Sequence, residues 1–193
     1  MPNDILESVK DFNTITIFRH VFADMDAIGS QFGLKYYLES AYPNKKIYCL
    51  GNDCPVSQRN NVHMDVVDDE VVASSLAIVL DTSNAARIDD DRYQLAKKSI
   101  RIDHHVQVET ICDEEWIDDK ASATCELLAL YLQEKKANIP LQSSLMLYLG
   151  LTADNIRFTT NNVRPATFDA AKFLFEQGVD AVSYTHLTLP TKA

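Results

Sequence analysis

The sequence of 193 residues has no apolar run approaching the roughly 18 residues that span a bilayer, which argues against a transmembrane helix. Its start, Met1-Pro2-Asn3-Asp4, carries an acid where a signal peptide carries Lys or Arg, so the cytoplasm is the expected compartment. The four cysteines (Cys49, Cys54, Cys112 and Cys125) form no Cys-x-x-Cys pair and no regular framework. That excludes a recognisable zinc knot or disulfide scaffold and favours reduced thiols. Positive charge is scarce as well: 18 basic residues stand against 28 acidic ones, a net charge of −10. A surface so acidic does not suit a protein that grips long nucleic acid by its phosphates. No Gly-x-Gly-x-x-Gly follows the first strand-like run, which removes the dinucleotide-binding reading.

What is present is an ordinary globular balance, 46% apolar and 24% charged, in a chain long enough for one well-buried α/β domain. Short β-branched runs alternate with longer helical patterns. Strands are expected at 14–18, 46–50, 76–80 and 99–102, with a short fifth at 115–117. Leu76-Ala77-Ile78-Val79-Leu80 is the clearest, an unbroken apolar run of the kind buried on both faces of a parallel sheet. Helices are expected at 4–12, 29–40, 124–134, 141–153 and 165–177, the last with Pro165 in its first turn and Gly178 just past its end. The alternation predicts an α/β fold: a doubly wound, mainly parallel five-stranded sheet with helices on both faces. The domain is expected over 1–182. The segment 183–193 loses all periodicity and reads as a vector-derived or read-through tail, non-native or disordered.

In an open α/β sheet, ligands bind beyond the carboxyl ends of the strands. The first strand runs into His20, Asp24 and Asp26, the third ends on Asp81, and the fourth ends on Asp103-His104-His105. Taken singly these residues have bland explanations: a strand-end histidine, turn residues, a helix cap. Together, three strands deliver Asp and His to one edge of the sheet. Carboxylates with imidazole suit Mn²⁺, with Mg²⁺, Fe²⁺, Co²⁺ or Zn²⁺ as alternatives, and disfavour Ca²⁺. Four crowded carboxylates need neutralising, so two divalent cations are the natural count. Gly29-Ser30 is expected to open a helix whose N-terminal amides would receive a phosphate oxygen.

These residues resemble the DHH family of phosphoesterases. The likeness is carried by His20-x-x-x-Asp24-x-Asp26-Ala27-x-Gly29-Ser30, Asp81 and Asp103-His104-His105. It extends to Ala121-Ser122-Ala123-Thr124-Cys125-Glu126 and to Gly150-Leu151-Thr152-Ala153-Asp154 with Arg157-Phe158, covering most of Thr14 to Gly178. The resemblance implies a catalytic domain with two Mn²⁺ ions. His20 and Asp24 would hold one ion, Asp26, His104 and Asp154 the other, and Asp81 would bridge both. His105 would face a substrate phosphate, and Asp103 would orient a histidine. Asp154 enters through the resemblance alone. Two departures stand out: Ala23-Asp24-Met25-Asp26 replaces the usual Pro-Asp-Gly-Asp, and Asp154-Asn155 replaces Asp-Thr. Neither removes a ligand.

Within the family the chain looks most like the oligoribonuclease and 3′-phosphoadenosine-5′-phosphate phosphatase branch, whose second domain (DHHA1) is expected to be absent here. The implied substrates are short oligoribonucleotides or small nucleotides such as pApA and pAp, with no long duplex and no membrane as partners. A homodimer is compatible with this reading. The alternatives are an inorganic pyrophosphatase of the same superfamily and a nucleotide-binding module without turnover.

Overall fold

The computed structural model describes residues 4–180, so the expected tail at 183–193 lies outside the described residues. Helix α1 (Ile5–Lys10) opens on Asp4, whose carboxylate caps the Leu6 amide at 3.2 Å. Strand β1 (Thr14–Phe18) leads into helix α2 (Met25–Ala41), and strand β2 (Lys46–Cys49) follows. Two single-turn helices, α3 (Pro55–Arg59) and α4 (Asp69–Ala73), precede strand β3 (Leu76–Leu80). Two 3₁₀ turns (Ala85–Arg87 and Asp91–Leu95) lead to strands β4 (Lys98–Asp103) and β5 (Glu114–Ile117). Three helices then close the described chain: α5 (Thr124–Glu134), α6 (Leu141–Asp154) and α7 (Pro165–Glu176).

The five strands form one sheet in the order β2-β1-β3-β4-β5, every pair parallel. Side chains alternate across it. Ile15, Ile17, Ile78, Leu80, Ile100 and Ile102 face a thick layer built from α2, α5, α6 and α7. Phe18, Ala77 and Val79 face a thinner layer in which Val72, Ile88, Tyr93 and Cys112 are buried. Both faces are thus covered, which explains why β3 is apolar at every position and fully buried.

From β1 the chain steps outward to β2 on one side, then returns to build β3, β4 and β5 on the other. The sheet therefore has its topological switch point between the carboxyl ends of β1 and β3, where such folds open a crevice.

Helix α2 begins four residues before the expected Gly29. Asp24 is its N-cap and accepts the Ala27 amide at 3.0 Å. Gly29 and Ser30 therefore lie inside the helix and are buried. The Ser30 hydroxyl donates to the Ala27 carbonyl at 3.1 Å. Their amides therefore sit inside the helix and not at its N-terminus, where a phosphate oxygen was expected. Gly29 serves packing instead: a Cβ there would lie 2.5 Å from the Met146 carbonyl oxygen of α6. Across the same crossing, a Cβ on Gly150 would lie 2.3 Å from Cys125 Sγ and 3.1 Å from the Asp26 Cα. The close α2–α6 approach brings the end of α6 beside the start of α2.

Candidate metal centre

Three neighbouring strands carry the polar groups to one place. His20 follows β1 and is almost fully buried. Its Nδ1 lies 2.6 Å from the Val21 carbonyl oxygen. A carbonyl can only accept, so Nδ1 carries the hydrogen, and in the neutral ring Nε2 is left with the free lone pair, able to bind a metal. Nε2 points at Asp81 Oδ2, 3.4 Å away, and at Asp24 Oδ2, 3.8 Å away. His104, just past β4, repeats the device: Nδ1 is 3.3 Å from the Ala121 carbonyl oxygen. Its Nε2 faces Asp81 Oδ1 at 3.5 Å, Asp154 Oδ2 at 3.5 Å and Asp26 Oδ2 at 3.8 Å.

Asp81 sits between the two histidines. Its backbone adopts the left-handed region, φ +55°, in the first residue past β3. That conformation is uncommon outside glycine, although Asp tolerates it better than most side chains. Its amide donates to the Ile102 carbonyl at 3.1 Å, which keeps the kinked residue attached to the sheet. One carboxylate oxygen then faces His20 and the other His104.

Three groups of ligand-type atoms result, each within 4.8 Å of one another: His20, Asp24 and Asp81; Asp26, His104 and Asp154; and Asp81, His104 and His105. The first two account for all six residues expected to bind metal, with Asp81 reaching toward both. Asp24 and Asp26 are not loop residues, as the sequence suggests, but the cap and first turn of α2. Asp154 closes α6, which is why a search of strand ends passes it by. His105 is partly exposed, and its Nδ1 lies 2.7 Å from Asp103 Oδ1 at the end of β4. Asp103 thus holds His105, while the main chain holds the other two rings.

Sequence reasoning misses the groups that brace these carboxylates. The amides of Thr124 and Cys125 donate to Asp26 Oδ2 at 2.6 Å and Oδ1 at 2.9 Å. The Thr124 hydroxyl donates to Asp81 Oδ1 at 3.0 Å. Backbone donors leave no residue-type signal. The small residues leading into α5, Ser122-Ala123-Thr124, are a hint in the sequence.

The electrostatics are those of a site built around positive charge. Burial opposes protonation of His20, but hydrogen bonds to Asp24 and Asp81 prevail and raise it to about 10. His104 rises to about 10 as well, burial being outweighed by Asp81 and then by Asp26 and Asp154. Asp81 is held low despite burial, because both imidazoles face it. Burial and the charge of Asp81 push Asp26 well up, and burial raises Asp154 too. In this cleft the histidines stand in for cations, with protons occupying the place of metal charge.

The residues fit a metal pair on their donor chemistry: imidazole Nε2 atoms with fixed tautomers and buried carboxylates, with no thiolate among the groups. The family model for the N-terminal domain of the DHH family matches residues 14–152. This chain belongs to the DHH family. It is 35% identical over 179 residues to the bifunctional oligoribonuclease and PAP phosphatase NrnA of Bacillus subtilis (strain 168), covering 91% of this chain and 57% of that protein. The fold is that of an exopolyphosphatase-related protein from Bacteroides fragilis, with a TM-score of 0.84 at 22% identity over 98% of this chain and 60% of the other. A family II inorganic pyrophosphatase from Methanococcus jannaschii, so described, has a more distant likeness, with a TM-score of 0.63 at 19% identity over 89% and 57%. The chain spans a little over half the length of the curated relatives it matches.

Proposed function

We propose that this DHH-family chain is the metal-binding part of a phosphoesterase that hydrolyses short oligoribonucleotides or small nucleotides such as pApA and pAp. The observation that carries the reading is the shared Asp81: its two carboxylate oxygens face different histidines, each within its own group of ligand-type atoms. On this reading His20 and Asp24 hold one divalent cation and Asp26, His104 and Asp154 hold the other, with Asp81 between them. Mn²⁺ is the preferred ion for a mixed imidazole and carboxylate set. Two such ions would provide Lewis acidity toward a phosphoryl group and lower the pKa of an attacking water.

The chain's own residues do the rest. The main-chain carbonyls of Val21 and Ala121 fix the two rings so that Nε2 is always presented to the cleft. Asp103 holds the Nδ1 hydrogen of His105. That leaves His105 Nε2 for a phosphate oxygen, to which it donates when protonated. The 35% identity to the Bacillus oligoribonuclease and PAP phosphatase supports nucleotides over pyrophosphate. The cytoplasm remains the proposed compartment, and no helix among the described residues is long and apolar enough to cross a membrane.

The test is metal analysis of the purified protein, then Mn²⁺-dependent hydrolysis of pApA, pAp, pyrophosphate and an activated aryl phosphodiester. Cleavage of the phosphodiesters or pAp is expected. Preferential turnover of pyrophosphate would favour the pyrophosphatase alternative, and tight nucleotide binding with no turnover of any substrate would favour a binding module.

A further inference from the structure

Thr124 touches two carboxylates of the metal-centre reading: Asp81, which that reading shares between the ions, and Asp26, which it gives to one of them. Its amide donates to Asp26 Oδ2 at 2.6 Å, and its hydroxyl donates to Asp81 Oδ1 at 3.0 Å. The next amide, of Cys125, takes the other oxygen of Asp26 at 2.9 Å. Rotation of an aspartate carboxylate about its last torsion is soft, with broad two-fold wells. Something must set the plane of the Asp81 carboxylate so that one oxygen faces each histidine. The hydroxyl of Thr124 pins Oδ1 on the His104 side and so turns Oδ2 toward His20.

The pivot itself is anchored from behind. Glu126, fully buried in the first turn of α5, accepts from the Ser122 amide at 3.1 Å and the Ser122 hydroxyl at 2.7 Å. It also accepts from the Thr167 hydroxyl and Arg164 Nε, each at 2.7 Å. Arg164 reaches on to Asp118 at 2.8 Å, and Asn155 Nδ2 donates to the Ser122 hydroxyl at 3.3 Å. The start of α5 is therefore tied to α7 and to the residue after Asp154. A fully bonded polar network of this kind is rigid.

We infer that Thr124 is a positioning residue of the acidic centre, setting the orientation of Asp81 and its spacing from Asp26 so that both can serve a metal pair. The inference rests on the metal-centre reading and adds to it a residue that itself binds no metal. Loss of a partner that orients a ligand typically costs about 10- to 100-fold in metal affinity.

The experiment measures Mn²⁺ binding by titration calorimetry on the chain as it stands, with the melting curve of the metal-free protein alongside. Thr124→Val keeps the shape and removes the donor. It is expected to weaken Mn²⁺ binding about tenfold or more, while Thr124→Ser, which keeps the hydroxyl, stays near wild type. In an Asp81→Gly background, which keeps the positive φ and leaves no side-chain oxygen for Thr124 to orient, the valine should cause little further loss, because its effect passes through Asp81. Should Thr124→Val not fold, Thr124→Ala carries the same comparison with serine. Wild-type affinity in the valine or alanine variant overturns the inference, and so does equal weakening by serine and valine. A wild-type protein that binds no Mn²⁺ at all overturns the metal-centre reading itself, and this inference with it.

Discussion

Asp81 is the residue on which the candidate centre turns, and its backbone makes a clean substitution available. Asparagine tolerates a left-handed φ as readily as aspartate, so Asp81→Asn keeps the kink after β3 and removes only the charge. Without that charge, His20 and His104 lose the carboxylate that faces both of them. A two-metal arrangement contributes several kcal/mol to the transition state. At about 1.4 kcal/mol per factor of ten, Mn²⁺-dependent hydrolysis should fall roughly a thousandfold. Retention of more than about a tenth of wild-type activity in a well-folded variant, checked by circular dichroism, would show that Asp81 does not bridge. The same residues set a pH signature. In the metal-free protein His20 and His104 are raised from 6.5 to about 10. Their pairing with the carboxylates stabilises the fold fully below about pH 6.5 and is lost as pH rises through about 10. Metal needs the rings neutral, so Mn²⁺ must displace protons, and its apparent affinity should climb between about pH 6 and 9. Calorimetry in buffers of different ionisation enthalpy should show proton release at pH 7; a heat independent of buffer would refute it.

At the scale of elements, the strands were legible because burial on both faces leaves an apolar run that no polar residue interrupts, as at Leu76–Leu80. The histidines and aspartates that follow β1, β3 and β4 were legible for the same reason, since strand ends announce themselves. The start of α2 was not. The sequence pattern placed it at Gly29, whereas the Asp24 cap starts it at Met25 and turns Gly29 from an anion site into a packing notch. Helices α3 and α4, five residues each, are too short to show a period. Asp154 escaped bottom-up reading because it ends a helix, and α6 matters only through how closely it crosses α2. That crossing is testable. In Gly150→Ala the new methyl would meet Cys125 Sγ at 2.3 Å and the Met25 carbonyl oxygen at 3.0 Å, so α6 must move away from α2 and α5. Overpacking of this kind destabilises by about 1–3 kcal/mol. Because Asp26 and Asp154 lie on the two helices being parted, Mn²⁺ affinity should drop along with the melting temperature. Chemical denaturation and metal titration of one preparation test both. A loss of stability with unchanged metal binding would separate the crossing from the site.

For the molecule as a whole, the acidic excess divides into two populations that composition alone does not separate. Much of it is solvated: Glu7 pairs with Lys10 on the surface, and Lys172 lies beside Glu176. Such exposed pairs contribute little to stability. Asp26 and Asp81 are different, each only 1% exposed at the carboxyl edge of the sheet. Folding brings them together with Asp24 and Asp154 against two histidines, and the raised protonation of Asp26 and Asp154 is the strain that results. A divalent cation relieves that strain in the folded state, whereas the unfolded chain holds the same carboxylates apart and in water. Metal at about 100 times its Kd should therefore stabilise the fold by roughly 2.7 kcal/mol. For a chain of this size about 1 kcal/mol corresponds to roughly 2–4 °C, so saturating Mn²⁺ should raise the melting temperature by several degrees. Ca²⁺ should do much less, because it prefers an all-oxygen shell and gains little from imidazole. Asp81→Asn should abolish most of the Mn²⁺ shift, and it should also lower the metal-free transition, because His20 and His104 lose the carboxylate that faces both of them. Thermal melts of both proteins with millimolar Mn²⁺, Ca²⁺ or chelator decide the matter. Equal shifts with Mn²⁺ and Ca²⁺ would mean that the cations are screening the charge of −10 in general rather than binding at the sheet edge.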